Sequence, residues 1–306
     1  MRINSLSKRT IFSVVGALLI FGYSVRAQSP PPPSSSDIDV ISTDTSLVTI
    51  NVSVTDHKKR QLPRLKLEDF RVRDQGKPVQ PEFMDSQGPL SIVFVIDVSS
   101  SMRGHWPELK SGLKKFLEKD HEGSDYTLIT FNEKAQLITA SVDATQLWKS
   151  FNTLRPYGDT ALYDGLILGL KALERLPQRH KALVLLSDGE DNSSRASLAM
   201  VEQQTLLHHA TIYPVGIVFD GVMSSYSADG KRILNQLAAA TGGLVLFPQT
   251  SRLPDVLNLI RSDLSEQYSL SYYPPEKTPG WHHVEINVPQ GGSPLNLRYQ
   301  ERYQMR

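Results

Sequence analysis

The hydrophobic pattern of the chain falls into three zones. Residues 47–55 (LVTINVSVT) alternate apolar and polar positions, which marks a strand with one buried face. Residues 69–74 (DFRVRD) alternate again, 75–78 (QGKP) read as a turn, and 79–84 continue extended, so this zone is all-β. The same texture returns near the end of the chain, at 267–273, 282–288 and 295–303, with Pro/Gly-containing turns between. Neither end carries enough strands to bury a sheet face by itself. Both ends are therefore predicted to pair into one small β-sandwich, with 46–88 as its N-terminal half and 267–306 as its C-terminal half.

The middle zone, 89–266, changes rhythm. Ile92, Val93, Phe94, Val95 and Ile96 form an unbroken apolar run, as expected of a central parallel strand buried on both faces. Residues 125–131, 135–140, 181–187, 211–218 and 244–247 read as further strands. Helices are predicted at 106–119, 145–151, 160–176, 198–209, 231–240 and 254–264. Strands alternating with helices in this way predict an α/β domain, a doubly wound and mostly parallel sheet with helices on both faces. No internal repeat is visible.

The candidate chemistry sits where these strands end. The 92–96 run changes character at Asp97 and continues Val98-Ser99-Ser100-Ser101. In open α/β sheets, ligands bind beyond the carboxyl ends of the strands. Asp97, Ser99 and Ser101 carry small, hard oxygen donors of the kind Mg²⁺, Mn²⁺ or Ca²⁺ selects. Read alone, D-x-S-x-S serves equally well as a turn or a helix cap. Two further stretches add to it: Gly158-Asp159-Thr160, which opens a helix, and Leu183–Leu186 running into Ser187-Asp188-Gly189, a second apolar strand that ends in a carboxylate.

Together these three segments resemble the metal-ion-dependent adhesion site of the von Willebrand factor type A family, over about 89–264. The resemblance implies that Ser99 and Ser101 give their hydroxyls to a divalent cation directly. Thr160 would bind directly or through water, and Asp97 and Asp188 mostly through water or as hydrogen-bond partners. It also implies Mg²⁺ as the default ion, with Mn²⁺ or Ca²⁺ as alternatives, and a partner protein whose acidic side chain completes the shell. Asp159 departs from the small residue expected before the threonine. Asp164, one turn into its helix, suits the helix dipole. Glu190 and Asp191 belong to the rim. His208-His209 and His282-His283 are adjacent pairs, and neighbours on a strand face opposite ways, so neither is a natural chelate.

Composition narrows the alternatives. With 306 residues the chain has room for one large domain and a smaller one, and 40% hydrophobic content marks it as globular. It has no cysteine, which excludes disulfides, thiolate metal sites and a cysteine nucleophile. Arg2, Lys8 and Arg9, the apolar stretch 11–23 and Val25-Arg26-Ala27 read as a secretory signal peptide spanning 1–27. This predicts a secreted or periplasmic protein; an uncleaved inner-membrane anchor is the alternative. Removing 1–27 takes away four basic residues and no acids, so the formal charge moves from +1 to −3. Residues 28–45, which include QSPPPPSSS, read as a Pro/Ser-rich linker. No basic stripe with interleaved aromatics suggests nucleic acid. A phosphatase of the haloacid dehalogenase type would need a second Asp where Ser99 stands, and no G-x-S-x-G elbow exists for a serine hydrolase. A non-enzymatic binding role is expected, with a structural part in the cell envelope as the alternative.

Overall fold

The computed structural model describes residues 47–62, 65–86, 88–119, 123–176, 180–208, 210–217, 228–289 and 295–305. The expected signal peptide at 1–27 and linker at 28–45 lie outside the described residues.

The sandwich is made by both ends of the chain. Strand β1 (Val48–Thr55) comes from the first zone, with β2 (Arg71–Asp74), β3 (Lys77–Val79) and β4 (Phe83–Asp85) after it. The second zone enters through β10 (Tyr268–Tyr272), β11 (Gly280–Asn287), β12 (Asn296–Tyr299) and β13 (Arg302–Met305). One sheet runs β12-β1-β10-β4 and the other β13-β11-β2-β3. All these pairings are antiparallel, as alternation with one wet face requires. The alternating side chains meet in a common core that includes Ile50, Val52, Val54, Phe70, Leu270 and Tyr272.

Two strand readings need correction here. Residues 295–303 are two strands in different sheets, because the chain crosses the sandwich at Gln300 and Glu301. Gln300 is buried and spends its amide on Leu206 O and Arg302 O, which is what turns the corner. Residues 79–84 likewise divide between β3 and β4, again in opposite sheets.

Between the two halves lie β5 (Leu90–Asp97), β6 (Asp125–Phe131), β7 (Ala135–Val142), β8 (His180–Ser187) and β9 (Thr211–Gly216). Their order is β7-β6-β5-β8-β9, parallel except for the β6–β7 hairpin. β5 is central and all eight of its residues are buried. The expected strand at 244–247 is reduced to a single bridge between Leu246 and Val215. The helices are α1 (Trp106–Leu117), α2 (Ala144–Asn152), α3 (Leu162–Glu174), α4 (Leu198–Leu207), α5 (Ala228–Thr241) and α6 (Leu253–Ser265). Two apolar clusters cover opposite faces of the sheet. One packs α1 and α6 against Ile92, Phe94 and Ile96; the other packs α3 against Val93, Val95 and Leu185.

The approach of α3 to the sheet depends on glycine. A Cβ at Gly169 would stand 2.6 Å from a Val95 methyl and 2.9 Å from Leu183, and one at Gly165 only 2.7 Å from the Phe131 ring. The missing side chains let the helix lie close over β5 and β8, which fixes where its N-terminus meets the sheet edge.

A buried polar set joins the inserted domain to the sandwich. Asp263 on α6 accepts hydrogen bonds from Tyr213 Oη on β9 (2.7 Å), from Ser53 Oγ on β1 (3.4 Å), and from Gln61 and the Arg298 guanidinium. Gln267 extends the set by donating to Tyr213 Oη and Ser53 Oγ. Burial, with Asp263 as the nearest negative charge and hydrogen-bond acceptor, pushes the Tyr213 hydroxyl well above its ordinary pKa, so it remains a donor.

Gly169→Ala should destabilise the chain by about 1–2 kcal/mol. Overpacking a tight interface costs about 1–3 kcal/mol, and the better helix propensity of alanine returns up to about 1. The midpoint of urea unfolding measures this, and no loss of stability would contradict the close packing of α3.

Candidate functional site

β5 and β8 are adjacent and parallel, so their carboxyl ends place Asp97 and Ser187-Asp188 side by side. Asp97 has no exposed surface. Its Oδ1 accepts the Ser99 N–H (2.8 Å) and its Oδ2 accepts the Ser187 hydroxyl (2.9 Å). The first of these bonds is the local turn that a strand-end aspartate makes anywhere. The serines do something different. Ser99 stands at the N-cap of a 3₁₀ turn, Ser100–His105, but its hydroxyl does not cap it. It meets the Ser101 hydroxyl at 2.9 Å, and Ser101 donates to Asp188 Oδ2 (2.6 Å). Two hydroxyls and a carboxylate thus form a chain of hydrogen bonds that starts at the residue bonded to Asp97.

Thr160 comes from a third segment and is joined to this group through the main chain; its hydroxyl enters none of these bonds. The preceding loop is pinned to the end of β5, with Tyr157 N–H donating to Val98 O (2.7 Å) and Ser100 N–H to Gly158 O (2.9 Å). Gly158 has a left-handed φ of +79°, and a Cβ there would lie 2.9 Å from Glu133 Oε1, so glycine is needed to present that carbonyl. On the other side, Thr160 N–H donates to Asn192 Oδ1 (2.9 Å), while Thr160 O accepts from the N–H groups of Asn192 and Ser193.

The loop after β8 also caps α3. The N-cap of that helix, Ala161, has no side chain that can cap, so the orphan N–H groups are met from outside. Tyr163 N–H donates to Asp191 Oδ1 and Asp164 N–H to Ser194 Oγ. Asp164 returns the contact by accepting the N–H groups of Arg195 and Ala196. Its role is therefore to clamp a loop as much as to answer the helix dipole, and Asp191 is a cap. Asp159 is exposed.

Sequence reasoning passed over Ser187 and Asn192, which hold Asp97 and Thr160 in place. Ser187 reads as a last strand residue, and its one signal is a hydroxyl beside a strand-end carboxylate. The histidines stand apart from this group. His282 is buried in the sandwich between Asp74 Oδ1 (3.1 Å) and Thr278 O (2.9 Å); His283 is exposed; His208 is buried near Glu174; His209 is outside the described residues.

The electrostatics are unbalanced. Burial, and then the neighbouring Asp188 carboxylate, push Asp97 from an ordinary aspartate value up to about 7, against the hydrogen bonds from Ser99 and Ser187. Two carboxylates and a knot of hydroxyls with little positive charge among them suit a hard cation, which would remove that penalty. Among the described residues no group of three or more His, Asp or Glu side chains could hold a metal, so hydroxyls must supply part of any coordination shell.

Residues 92–190 match the von Willebrand factor type A domain. The chain carries a von Willebrand factor type A domain. Human inter-alpha-trypsin inhibitor heavy chain H3 is 31% identical over 132 residues, a match covering 39% of this chain and 14% of that one. The chain thus spans only a small part of the curated relatives it matches. A von Willebrand factor type A protein from Catenulispora acidiphila has a TM-score of 0.50 at 13% identity, over 86% of this chain and 74% of its own. Proximal thread matrix protein 1 from the mussel byssus, solved with a zinc-occupied MIDAS motif, has a TM-score of 0.50 at 18% identity, over 63% and 50% of the two chains. These likenesses to solved structures establish the fold.

The raised Asp97 pKa gives a signed prediction for metal-free protein. Between about pH 4 and 7 the folded type A domain holds a proton that the unfolded chain has released, so the Asp97 contribution to stability falls as pH rises through that window and is level above it. Asp97→Asn should flatten this part of the profile of melting temperature against pH in EDTA. An unchanged profile would show that Asp97 is not the group responsible.

Proposed function

We propose that Asp97, Ser99, Ser101, Thr160 and Asp188 hold one divalent cation, Mg²⁺ by default, and that the cation receives a carboxylate from a partner protein. The observation that carries this reading is the Asp97–Ser99–Ser101–Asp188 group, in which the Ser99 and Ser101 hydroxyls and a second carboxylate from the next strand end gather beside the buried Asp97. The zinc-occupied motif of the mussel protein supports it by analogy of fold. Neutral hydroxyl ligands leave a cation under-neutralised, so an external anion is a favourable last ligand. Nothing in the group requires bond-breaking chemistry, and the role is binding without catalysis. Mn²⁺ and Ca²⁺ remain alternative ions.

We further propose that residues 1–27 direct export and are removed, so that the mature protein starts at Gln28 and works outside the cytoplasm or in the periplasm. The basic residues, apolar stretch and Val25-Arg26-Ala27 support this. N-terminal sequencing of protein from its native source should read Gln28 first; an intact Met1 in the membrane fraction would favour an anchor.

Titration calorimetry tests the cation. The unmodified chain should bind Mg²⁺ and Mn²⁺, and Asp97→Ala should weaken both by about ten- to a hundred-fold, the usual effect of losing a supporting partner of a metal site. Equal affinities in the two proteins would mean that these residues serve only as turns and caps.

A further inference from the structure

Thr160 is gripped on both of its peptide groups by Asn192. Its N–H donates to Asn192 Oδ1 (2.9 Å), and its C=O accepts the main-chain N–H of Asn192 (2.9 Å) and of Ser193 (3.1 Å). Thr160 is only 5% exposed, yet its hydroxyl has no hydrogen-bond partner among the described residues. A polar side chain on a buried residue ordinarily finds a partner within the fold. Here the main chain is fixed from both sides and the hydroxyl is left available to a ligand.

Asn192 reaches Thr160 because the loop after β8 folds back at its start. Gly189 has a left-handed φ of +84°, its N–H donates to Ser187 Oγ (3.0 Å), and Glu190 N–H donates to Asp188 Oδ1 (3.2 Å). Asn192 stands four positions after Asp188. One short loop therefore carries both the carboxylate that accepts the Ser101 hydroxyl and the amide that holds Thr160. The loop's own backbone sets the span between them. The neighbouring ties do not duplicate this grip. Ser100 N–H holds Gly158 O, and Asn132 O takes the Ala161 N–H (2.6 Å), so both act on residues beside Thr160. Asp191 and Ser194 spend their side chains on N–H groups in the first turn of α3.

We infer that Asn192 is a positioning residue of the proposed cation site: it sets the place of the Thr160 hydroxyl relative to Asp188, and through that placement the site discriminates between cations by size. The inference rests on the proposed cation site. Mg²⁺ requires near-octahedral ligands at about 2.0–2.1 Å, whereas Ca²⁺ accepts irregular shells at about 2.3–2.6 Å. A hydroxyl held in one place serves the smaller ion, and one that drifts still serves the larger. The Asn192 Oδ1 is spent on the Thr160 N–H, so the residue acts through Thr160 and not as a ligand.

Calorimetric titration of the full chain with Mg²⁺ and with Ca²⁺ tests this. Asn192→Ala should weaken Mg²⁺ binding about tenfold, the effect of losing a partner that orients a metal ligand. Ca²⁺ binding should weaken less, so the ratio of the two affinities falls. Asn192→Asp keeps the acceptor oxygen and should restore both the Mg²⁺ affinity and the ratio, measured at high ionic strength where its added charge is screened. Ser194→Ala is the control for the loop, since it removes a bond from the same loop to α3 and none to Thr160. Each alanine variant should lower the melting temperature by about 2–4 °C, as expected of one lost hydrogen bond. Ser194→Ala should nevertheless leave the affinity and the ratio unmoved. An unmodified chain that binds Mg²⁺, beside an Asn192→Ala variant that binds both ions equally well, would overturn the inference and leave the cation site standing. Equal losses in the two alanine variants, a loss the same for both ions, or no rescue by Asn192→Asp would also overturn it, because Asn192 would then only brace the loop. An unmodified chain that binds neither ion would remove the cation site and the inference with it.

Discussion

The carboxylate of Asp97, fully enclosed at the end of a strand buried along its whole length, is the constraint on which the rest depends. An ionised carboxylate taken out of water must be met by donors or a cation, or else keep a proton. The fold meets it partly, with one backbone N–H and one hydroxyl, and sets a second carboxylate nearby. Loops that would otherwise only connect strands to helices are drawn into that electrostatic problem. The segment before α3 is laced to β5, the segment after β8 is laced to α3, and each lacing bond fixes an oxygen at the edge of the sheet.

The opposite edge of the sheet is organised by a second buried carboxylate, which is answered within the protein. Asp263 collects a tyrosine, a serine, a glutamine and an arginine, contributed by the inserted domain and by both ends of the chain. A charge satisfied on every side is a structural rivet, whereas Asp97 is left short of partners. The contrast between two aspartates with similar burial separates the joint of the molecule from the edge that carries the proposed site. His180, buried at the first residue of β8 and within reach of Ser269 and Asp85, adds a smaller contact to the same joint.

The fold could be read where burial leaves the sequence little choice. The 92–96 run has no polar residue because both its faces are covered, and 181–187 is legible for the same reason. Short edge strands carry no such mark: β3 and β4 have three residues each, and their sheet is decided by partners far away in the chain. Alternation runs on through 295–303 although the chain changes sheets there, since the corner is set by the contacts of Gln300 with Leu206 and not by its neighbours in sequence. Asp97, Ser99, Ser101 and Asp188 could be placed together because each follows an apolar strand. Ser187 and Asn192 could not, one hidden inside a strand and the other in a polar loop without periodicity. Asp263 sits on a helix whose buried and exposed faces look ordinary, and only the folded chain shows that its carboxylate points into the joint.

Both halves of the sandwich come from sequence outside the inserted domain, and this has a mechanical consequence. A pull applied between Val48 and Met305 enters through β1 and β13, which stand in different sheets of the sandwich. The load crosses the sandwich through its paired strands and shared core, and part of it passes to the inserted domain through the contacts of Ser53, Gln61 and Arg298 with Asp263. The ladders of β1 with β10 and β12 resist that pull in shear. The carboxyl edge that carries Asp97 lies at the other end of the strands from the joint through which that load enters.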